Sequence, residues 1–532
     1  MATPNEDVRN PFTGLDVTWM LQTQAERFKQ KPLLTWAPFD APARHYSYSE
    51  FVHLAGCLAA SLSAKGVQEG DRVLVHLENC PEFLLSWAAL AELGAIAVTT
   101  NTRSAIDELS YYIDNSGAKC AITQPSLFST LQAAGNDLNF IAVTSHNAGV
   151  NEVPPSGPGI ESFDQMLTGE PAANRHRVSA DPNRPVGVQY TSGTTSRPKG
   201  VVITHGNALW AARVTGGHLG TRTDDTQLIF LPLFHINALA YSFLPALWKG
   251  ATVVLMPKFS SSRFWNVSLE HKVTLGSLIP FCYRALADVE RPKKHYYRTW
   301  GGGISYVPIA QELGIHTVGW YGMTETISQP ITGHNDMPNE PDVIGRAAPE
   351  YDISIVDENG NPTQYGDVGH LRVKGRPGLS LFKEYLFNEE ATRNAFDEEG
   401  WFITGDRVIP FENGTIRFSD RDKDMMKVGG ENVAPSEVER VLMSLESVAE
   451  VAVVAKRHPM LDEVPVAFIR PTQPSSDVDQ EALRAEIAAA TASALADFKQ
   501  PREIYFVDDF PRVTLEKIAK AKLRARLEES DK

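Results

Sequence analysis

Five hydroxyl side chains crowd into six positions of this chain: Thr191, Ser192, Thr194, Thr195 and Ser196, interrupted only by Gly193. Lys199 adds one positive charge and Gly200 follows it. Hydroxyls and exposed backbone N–H groups in a glycine-containing loop, closed by one lysine, suit the grip of a polyphosphate. The loop is not a Walker A sequence. Gly193 and Lys199 have that offset, but Pro198 stands where the second glycine belongs, and Gly200 stands where a hydroxyl should meet magnesium. A second group is Tyr321-Gly322-Met323-Thr324-Glu325-Thr326, preceded by Gly301-Gly302-Gly303. An aromatic ring, a hydroxyl and a carboxylate this close can stack on a base, touch a phosphate and hold Mg2+. A third is Thr404-Gly405-Asp406, where the carboxylate could accept from a ribose diol. Taken alone, those three residues are also an ordinary turn.

These residues need elements to position them. Val186 to Tyr190 and Val201 to Ile203 read as short strands on either side of the hydroxyl loop. Ser47-Tyr48-Ser49-Glu50 opens a helix carrying Phe51, Leu54, Leu58 and Leu62. Arg72 to Leu77 reads as a strand, Pro81 to Leu93 as a helix and Gly94 to Val98 as a strand, which implies a parallel sheet covered by helices. Residues 145–185 are rich in Pro, Gly, Asn and Ser and read as a long surface connection. The strand–helix alternation resumes over 186–330, and residues 343–419 read as a small β unit. The texture changes again after Asp420, in a charged run that ends at Pro435 and contains Gly429-Gly430; such runs are commonly solvated linkers. The tail from Leu515 reads as a basic helix whose Lys520, Lys522, Arg524 and Arg526 form a solvated face. The expected fold is a large N-terminal α/β domain, 1–420, built of two α/β layers plus a small β unit. A smaller, mobile α+β C-terminal domain, 421–532, follows it.

Composition narrows the class. The chain has 532 residues, 42% hydrophobic and 22% charged, as globular proteins have. A formal charge of −15 argues against nucleic acid or an anionic membrane as the main partner. It leaves room for an anionic substrate at a local basic site. Cys57, Cys80, Cys120 and Cys282 form neither a disulfide framework nor a zinc pattern, which fits a reducing, cytoplasmic setting. No signal peptide or bilayer-spanning run is expected.

With these motifs in order, the chain resembles the adenylate-forming superfamily: acyl- and aryl-CoA synthetases, peptide-synthetase adenylation domains and firefly luciferase. The resemblance runs from about residue 20 to 526 and departs from the common pattern at Ser196 and Glu516, where glycine is usual. The resemblance implies that Thr191, Ser192, Gly193, Thr194, Thr195 and Lys199 hold ATP phosphates. It implies that Tyr321 and Gly301–Gly303 face adenine, that Thr324 meets the α-phosphate and that Glu325 holds Mg2+. Asp406 and Arg421 would bind ribose, and Lys423 would be an interdomain hinge. Gly429 and Gly430 would let coenzyme A pass, and Lys517 would reach the site during adenylation. His235, Trp320 and Met323 would line the acid pocket.

The implied reaction joins a small carboxylic acid to coenzyme A. ATP turns the carboxylate into an acyl-adenylate, releasing pyrophosphate; the CoA thiol then displaces AMP. No protein nucleophile is needed, and no GxSxG sequence is present. Alternatives are an enzyme loading a carrier protein, a non-catalytic nucleotide-binding module and a luciferase-like oxygenase. Within the superfamily, Gly375 to Tyr385 and the run YGMTETI most resemble carnitine/crotonobetaine-type and related small-acid CoA ligases. Trp320 and the glycine run point to short or aromatic monocarboxylates.

Overall fold

The computed structural model describes residues 9–530 apart from 136, 173–177, 192–197, 306, 422–423, 429–430, 460, 496 and 513–517. Two compact units form. Met1–Ile353 with Val373–Phe402 make a large α/β unit; Ser354–Arg372 with Ile403–Lys532 make a smaller one.

In the larger unit, the helix Tyr48–Ala64 starts where its sequence says it should. Ser47 Oγ accepts from Glu50 N at 3.0 Å, satisfying an otherwise unpaired N–H. The strand Arg72–His76, the helix Pro81–Leu93 and the strand Ile96–Thr99 form the expected crossover, with Arg72 opposite Ile96 and Val75 opposite Thr99 in parallel register. Pro81 fills the first helical turn, and Gly94, at φ 69°, stops the helix in the left-handed region. Every residue of this helix is buried, Glu82, Ser86 and Glu92 included. The sheet extends in parallel through Cys120–Thr123, Ile141–Val143 and Ile160–Ser162 on one side, and through Pro185–Thr191 on the other. Lys199–Thr204 then adds antiparallel, and Glu384–Tyr385 adds antiparallel to that at the edge. The expected surface connection over 145–185 is therefore partly regular: Ile160–Ser162 becomes an edge strand, paired in parallel beside Ile141–Val143.

A second, nine-stranded sheet has Pro32–Trp36, Thr252–Leu255, Thr226–Ile229, Leu275–Ser277, Thr299–Gly302 and His316–Tyr321 in parallel. Ligands of such sheets bind outside the carboxyl ends of the strands. Gly301, Gly302 and Tyr321 stand at two adjacent carboxyl ends, with Gly302 paired to Gly319.

The smaller unit holds most of the expected β unit, a four-stranded sheet of Asp352–Val356, Gly369–Lys374, Phe402–Pro410 and Ile416–Arg421. It also contains a sheet centred on Val448–His458 and Asp462–Pro471, covered by the helices Pro435–Met443 and Gln480–Ala494. Val438, Leu442, Val453, Ile469, Leu483 and Ile487 form its core. The last helix is Lys520–Ser530, beginning later than the basic pattern implied. Its basic face is only partly solvated. Lys520 pairs with Glu439 at 2.9 Å and Arg524 with Asp424 at 3.0 Å, whereas Lys522 and Arg526 are exposed.

Candidate active site

The hydroxyl loop sits in a hairpin. Pro185–Thr191 and Lys199–Thr204 pair so that Tyr190 faces Gly200 and Thr191 faces Lys199. Ser192, Gly193, Thr194 and Thr195 lie outside the described residues. Tyrosines brace the hairpin at its base. Tyr190 donates to Asn115 Oδ1 at 2.8 Å and packs on Tyr112 with ring centroids 4.4 Å apart, and Tyr111 donates to Pro198 O at 2.8 Å. The Lys199 ammonium lies over the Tyr385 ring, 4.5 Å from its centroid.

The second motif begins at the end of the strand His316–Tyr321 and turns at once into a 3-10 helix, Thr324–Thr326. Thr326 Oγ1 accepts from Met323 N at 3.0 Å, and Tyr351 donates to Thr326 O at 2.8 Å, so the turn is held from both sides. Ile327 follows with φ 64°, a costly conformation for a β-branched residue and one that concentrates at functional sites. Glu325 is buried and accepts from Tyr385 Oη at 2.9 Å. Phe382 N donates to Glu325 O at 2.8 Å. Burial, and then the Glu325 charge, push the Tyr385 phenol well above its usual range, so it remains protonated as the donor. Tyr321 is buried, with its hydroxyl 3.5 Å from Met323 Sδ; Thr324 is half-buried. Lys199 and Glu325, remote in sequence, are thus both in contact with one tyrosine.

The glycine run has three different environments. A Cβ on Gly301 would meet the Trp320 ring at 1.9 Å. One on Gly302 would meet Tyr283 Oη at 2.5 Å and Leu278 O at 2.7 Å. One on Gly303 would meet nothing within 4 Å. Trp320 therefore packs against Gly301 and edge-on to Tyr241, with ring centroids 6.1 Å apart. Tyr241 comes from the π-helical turn Leu239–Phe243, an irregularity that recurs at functional sites.

His235 starts the short helix Ile236–Ala238. Its loop is clamped by buried Asn79, which donates to Leu231 O at 3.0 Å and Met256 O at 3.2 Å and accepts from Leu233 N at 2.8 Å. Burial lowers the His235 pKa to about 4, so the imidazole is neutral at pH 7. Its Nε2 has no hydrogen-bond partner among the described residues. A narrow apolar cavity borders the same helix, lined by Trp87, Gln189, Ile236, Leu239 and Ile327 among others; His235, Trp320 and Met323 do not line it.

In the smaller unit, Asp406 and Arg421 are cross-strand neighbours. Asp406 is buried on its strand; its N–H donates to Thr404 Oγ1 at 3.1 Å, and Thr404 donates to Leu371 O at 2.7 Å. Lys423, Gly429, Gly430 and Lys517 lie outside the described residues. Arg512 and Ile518, which flank residues 513–517 in sequence, are bridge partners. Arg512 is itself held by buried Glu450, at 3.0 and 2.8 Å.

Sequence reading missed Asn79, Tyr241 and Tyr385 as parts of this site. Tyr385 carries a signal, since it ends Gly375 to Tyr385, the stretch that bears the subfamily resemblance. Asn79 carried none. Among the described residues, no group of three or more His, Cys, Asp and Glu could hold a metal ion, and no helix is long and apolar enough to cross a membrane.

The chain is similar to known proteins along nearly its whole length. Residues 21–386 match the family described as AMP-binding enzyme, and residues 437–517 match the AMP-binding enzyme C-terminal domain. A crotonobetaine/carnitine–CoA ligase of Salmonella paratyphi A is 30% identical over 96% of this chain and 99% of its own. O-succinylbenzoate coenzyme A synthetase (MenE) from Bacillus subtilis, solved with AMP, superposes with a TM-score of 0.81 at 26% identity, covering 95% of this chain and 98% of its own. ATP-bound MatB from Rhodopseudomonas palustris gives 0.83 at 26% identity, covering 97% and 100%.

Proposed function

Because this chain belongs to the AMP-binding enzyme family, we propose that it is an AMP-forming acid–thiol ligase for short-chain or aromatic monocarboxylates. ATP activates the acid as an acyl-adenylate and coenzyme A receives the acyl group. The observation that carries the reading is the cluster in which Lys199 stacks on Tyr385 and Tyr385 donates to Glu325. It gathers around one tyrosine a cation, which can stabilise charge on a transferring phosphoryl group, and a carboxylate, which can hold Mg2+.

One carboxylate is compatible with Mg2+, which commonly takes one or two protein carboxylates and completes its shell with phosphate oxygens and water. Glu325 fits that demand: its carboxylate is buried and one oxygen is already fixed by a hydroxyl donor. Bound there, Mg2+ would neutralise charge on the phosphates. The Thr191–Lys199 loop would hold the phosphates, Thr324 the α-phosphate region, Tyr321 and Gly303 the adenine. Asp406 and Arg421 would take the ribose. Rotation of residues 421–532 about Lys423 would exchange Lys517, used for adenylation, for Gly429–Gly430, used for the thiol. Neutral His235, with Trp320, Tyr241 and Met323, would bound the acid. Aromatic walls suit a flat ring, or a compact quaternary ammonium through cation–π attraction. The crotonobetaine/carnitine name of a relative supports the second choice.

The test is acid-dependent pyrophosphate release with MgATP, then thioester formation with free CoA. The panel contains crotonobetaine, short aliphatic acids, benzoate-type acids and palmitate. The expectation is turnover of one of the short or aromatic acids and CoA thioester as product. Turnover of palmitate alone would overturn the pocket assignment. Pyrophosphate release without transfer to free CoA would favour a carrier protein as acceptor.

A further inference from the structure

We propose that Tyr385 is a positioning residue that couples the phosphate-binding lysine to the metal-facing carboxylate, an inference that rests on the ligase reading above. Tyr385 lies in neither motif. It belongs to the two-residue edge strand Glu384–Tyr385, which pairs with the strand leaving the phosphate loop so that Val201 faces Tyr385. Backbone bonds lock it there: Lys383 N to Val202 O at 3.0 Å and Leu386 N to Gly200 O at 2.7 Å. Thr392 Oγ1 accepts from Tyr385 N at 2.9 Å. Two residues upstream of that pairing, Phe382 N donates to the carbonyl of Glu325. The segment 382–386 is thus a clip, bonded on one side to the loop strand and on the other to the Glu325 turn.

Within the clip, the side chain does two separable things. Its ring carries the Lys199 ammonium at 4.5 Å, and its hydroxyl holds Glu325 Oε1 at 2.9 Å. A carboxylate that must meet a small, geometrically strict cation gains from a fixed orientation, and loss of such an outer partner costs about 10–100-fold in metal affinity. A lysine on an aromatic face loses freedom before ATP arrives. Asn207 steadies the chain that leads into the clip, donating to Leu379 O at 2.7 Å and Leu381 O at 2.8 Å.

The two functions can be separated by substitution. Tyr385→Phe keeps the ring and removes the hydroxyl. It should raise the Mg2+ concentration for half-maximal pyrophosphate release about tenfold, with the KM for the acid and the unfolding midpoint unchanged. Mn2+ affinity in the presence of a non-hydrolysable ATP analogue, read by EPR, should fall by the same factor. Tyr385→Leu should in addition raise the KM for ATP at saturating Mg2+. Wild-type Mg2+ dependence and Mn2+ affinity in Tyr385→Phe would overturn the proposal, as would a loss confined to thermal stability. If the unaltered protein bound Mn2+ with the analogue but released no pyrophosphate with any acid, the ligase reading would fail while the Mn2+ measurement still judged Tyr385.

Discussion

At the scale of single residues, the glycine run separates packing from binding. Gly301 and Gly302 are glycine because protein occupies the space a Cβ needs; Gly303 has open space there. Gly302→Ala should therefore destabilise the fold by about 1–3 kcal/mol through overpacking against Tyr283 and a backbone carbonyl. Gly303→Ala should leave the unfolding midpoint within a degree or two and instead raise the KM for ATP or the acid. Equal melting losses for both, measured by calorimetry, would mean that Gly303 is glycine for the fold alone. This distinction was not legible in three identical letters. The sequence marked the run as a place of close approach, but what does the approaching is set by Trp320 and Tyr283, which reach it across strand pairing and from a neighbouring helix. Glu325 and Lys199 were legible because carboxylates and lysines announce their charge. Tyr385, whose role is relayed through them, did not.

At the scale of elements, local signals were reliable and long-range ones were not. Pro81 and Gly94 bracket their helix residue for residue, since a fixed φ and a left-handed stop act within one turn. The edge strand Ile160–Ser162 was hidden in a Pro- and Gly-rich connection, because only the neighbouring strand gives it a reason to extend. The basic tail helix was misjudged at Lys520 and Arg524, though not at exposed Lys522 and Arg526, for the same reason: Glu439 and Asp424 that pair with it come from elsewhere in the chain. The Glu450–Arg512 pair belongs to this scale as well. It holds Arg512, the bridge partner of Ile518. Glu450→Gln should cost the smaller unit roughly 3 kcal/mol, since Arg512 and Arg470 both lose a buried charge partner. Lys517→Ala should leave stability intact and slow adenylation by about 2.7–4 kcal/mol in barrier height, while sparing thioester formation from preformed acyl-adenylate. Single-turnover assays of the two half-reactions, with denaturant melts, check both.

At the scale of the whole molecule, three histidines make stability depend on acid. Burial lowers His76 and His235 to about 4; burial, then the nearby Arg184 charge, lowers His205 to about 3. His205 Nδ1 also accepts from Val17 N at 3.2 Å, which requires the neutral ring. An exposed histidine titrates near about 6.5, so between there and about pH 4 the unfolded chain binds protons that the folded one refuses. Their contribution is complete above about pH 6.5 and is lost as pH falls toward 4, at up to about 1.4 kcal/mol per pH unit for each residue. Urea midpoints of the full chain between pH 7.5 and 4.5 should fall steeply, and His205→Asn should flatten the slope. A midpoint that does not move across that range would show that these rings open to solvent without unfolding.

The helix Pro81–Leu93 has a consequence for biosynthesis. Buried on all sides, it has no polar face to turn to water while it waits for partners. One of those partners is the strand Pro185–Thr191, where Gly187 lies against Trp87. At roughly 5–20 residues per second of translation, that strand leaves the ribosome on the order of ten seconds after the helix. For that interval the nascent chain exposes Phe83, Leu84, Leu85, Trp87 and Leu90. A fragment ending at residue 180 should accordingly bind hydrophobic-surface dyes and sediment when expressed alone, and one ending at residue 402 should not. The order of the strands in the sheet, and not only their number, thereby sets how long this apolar surface stays uncovered during synthesis.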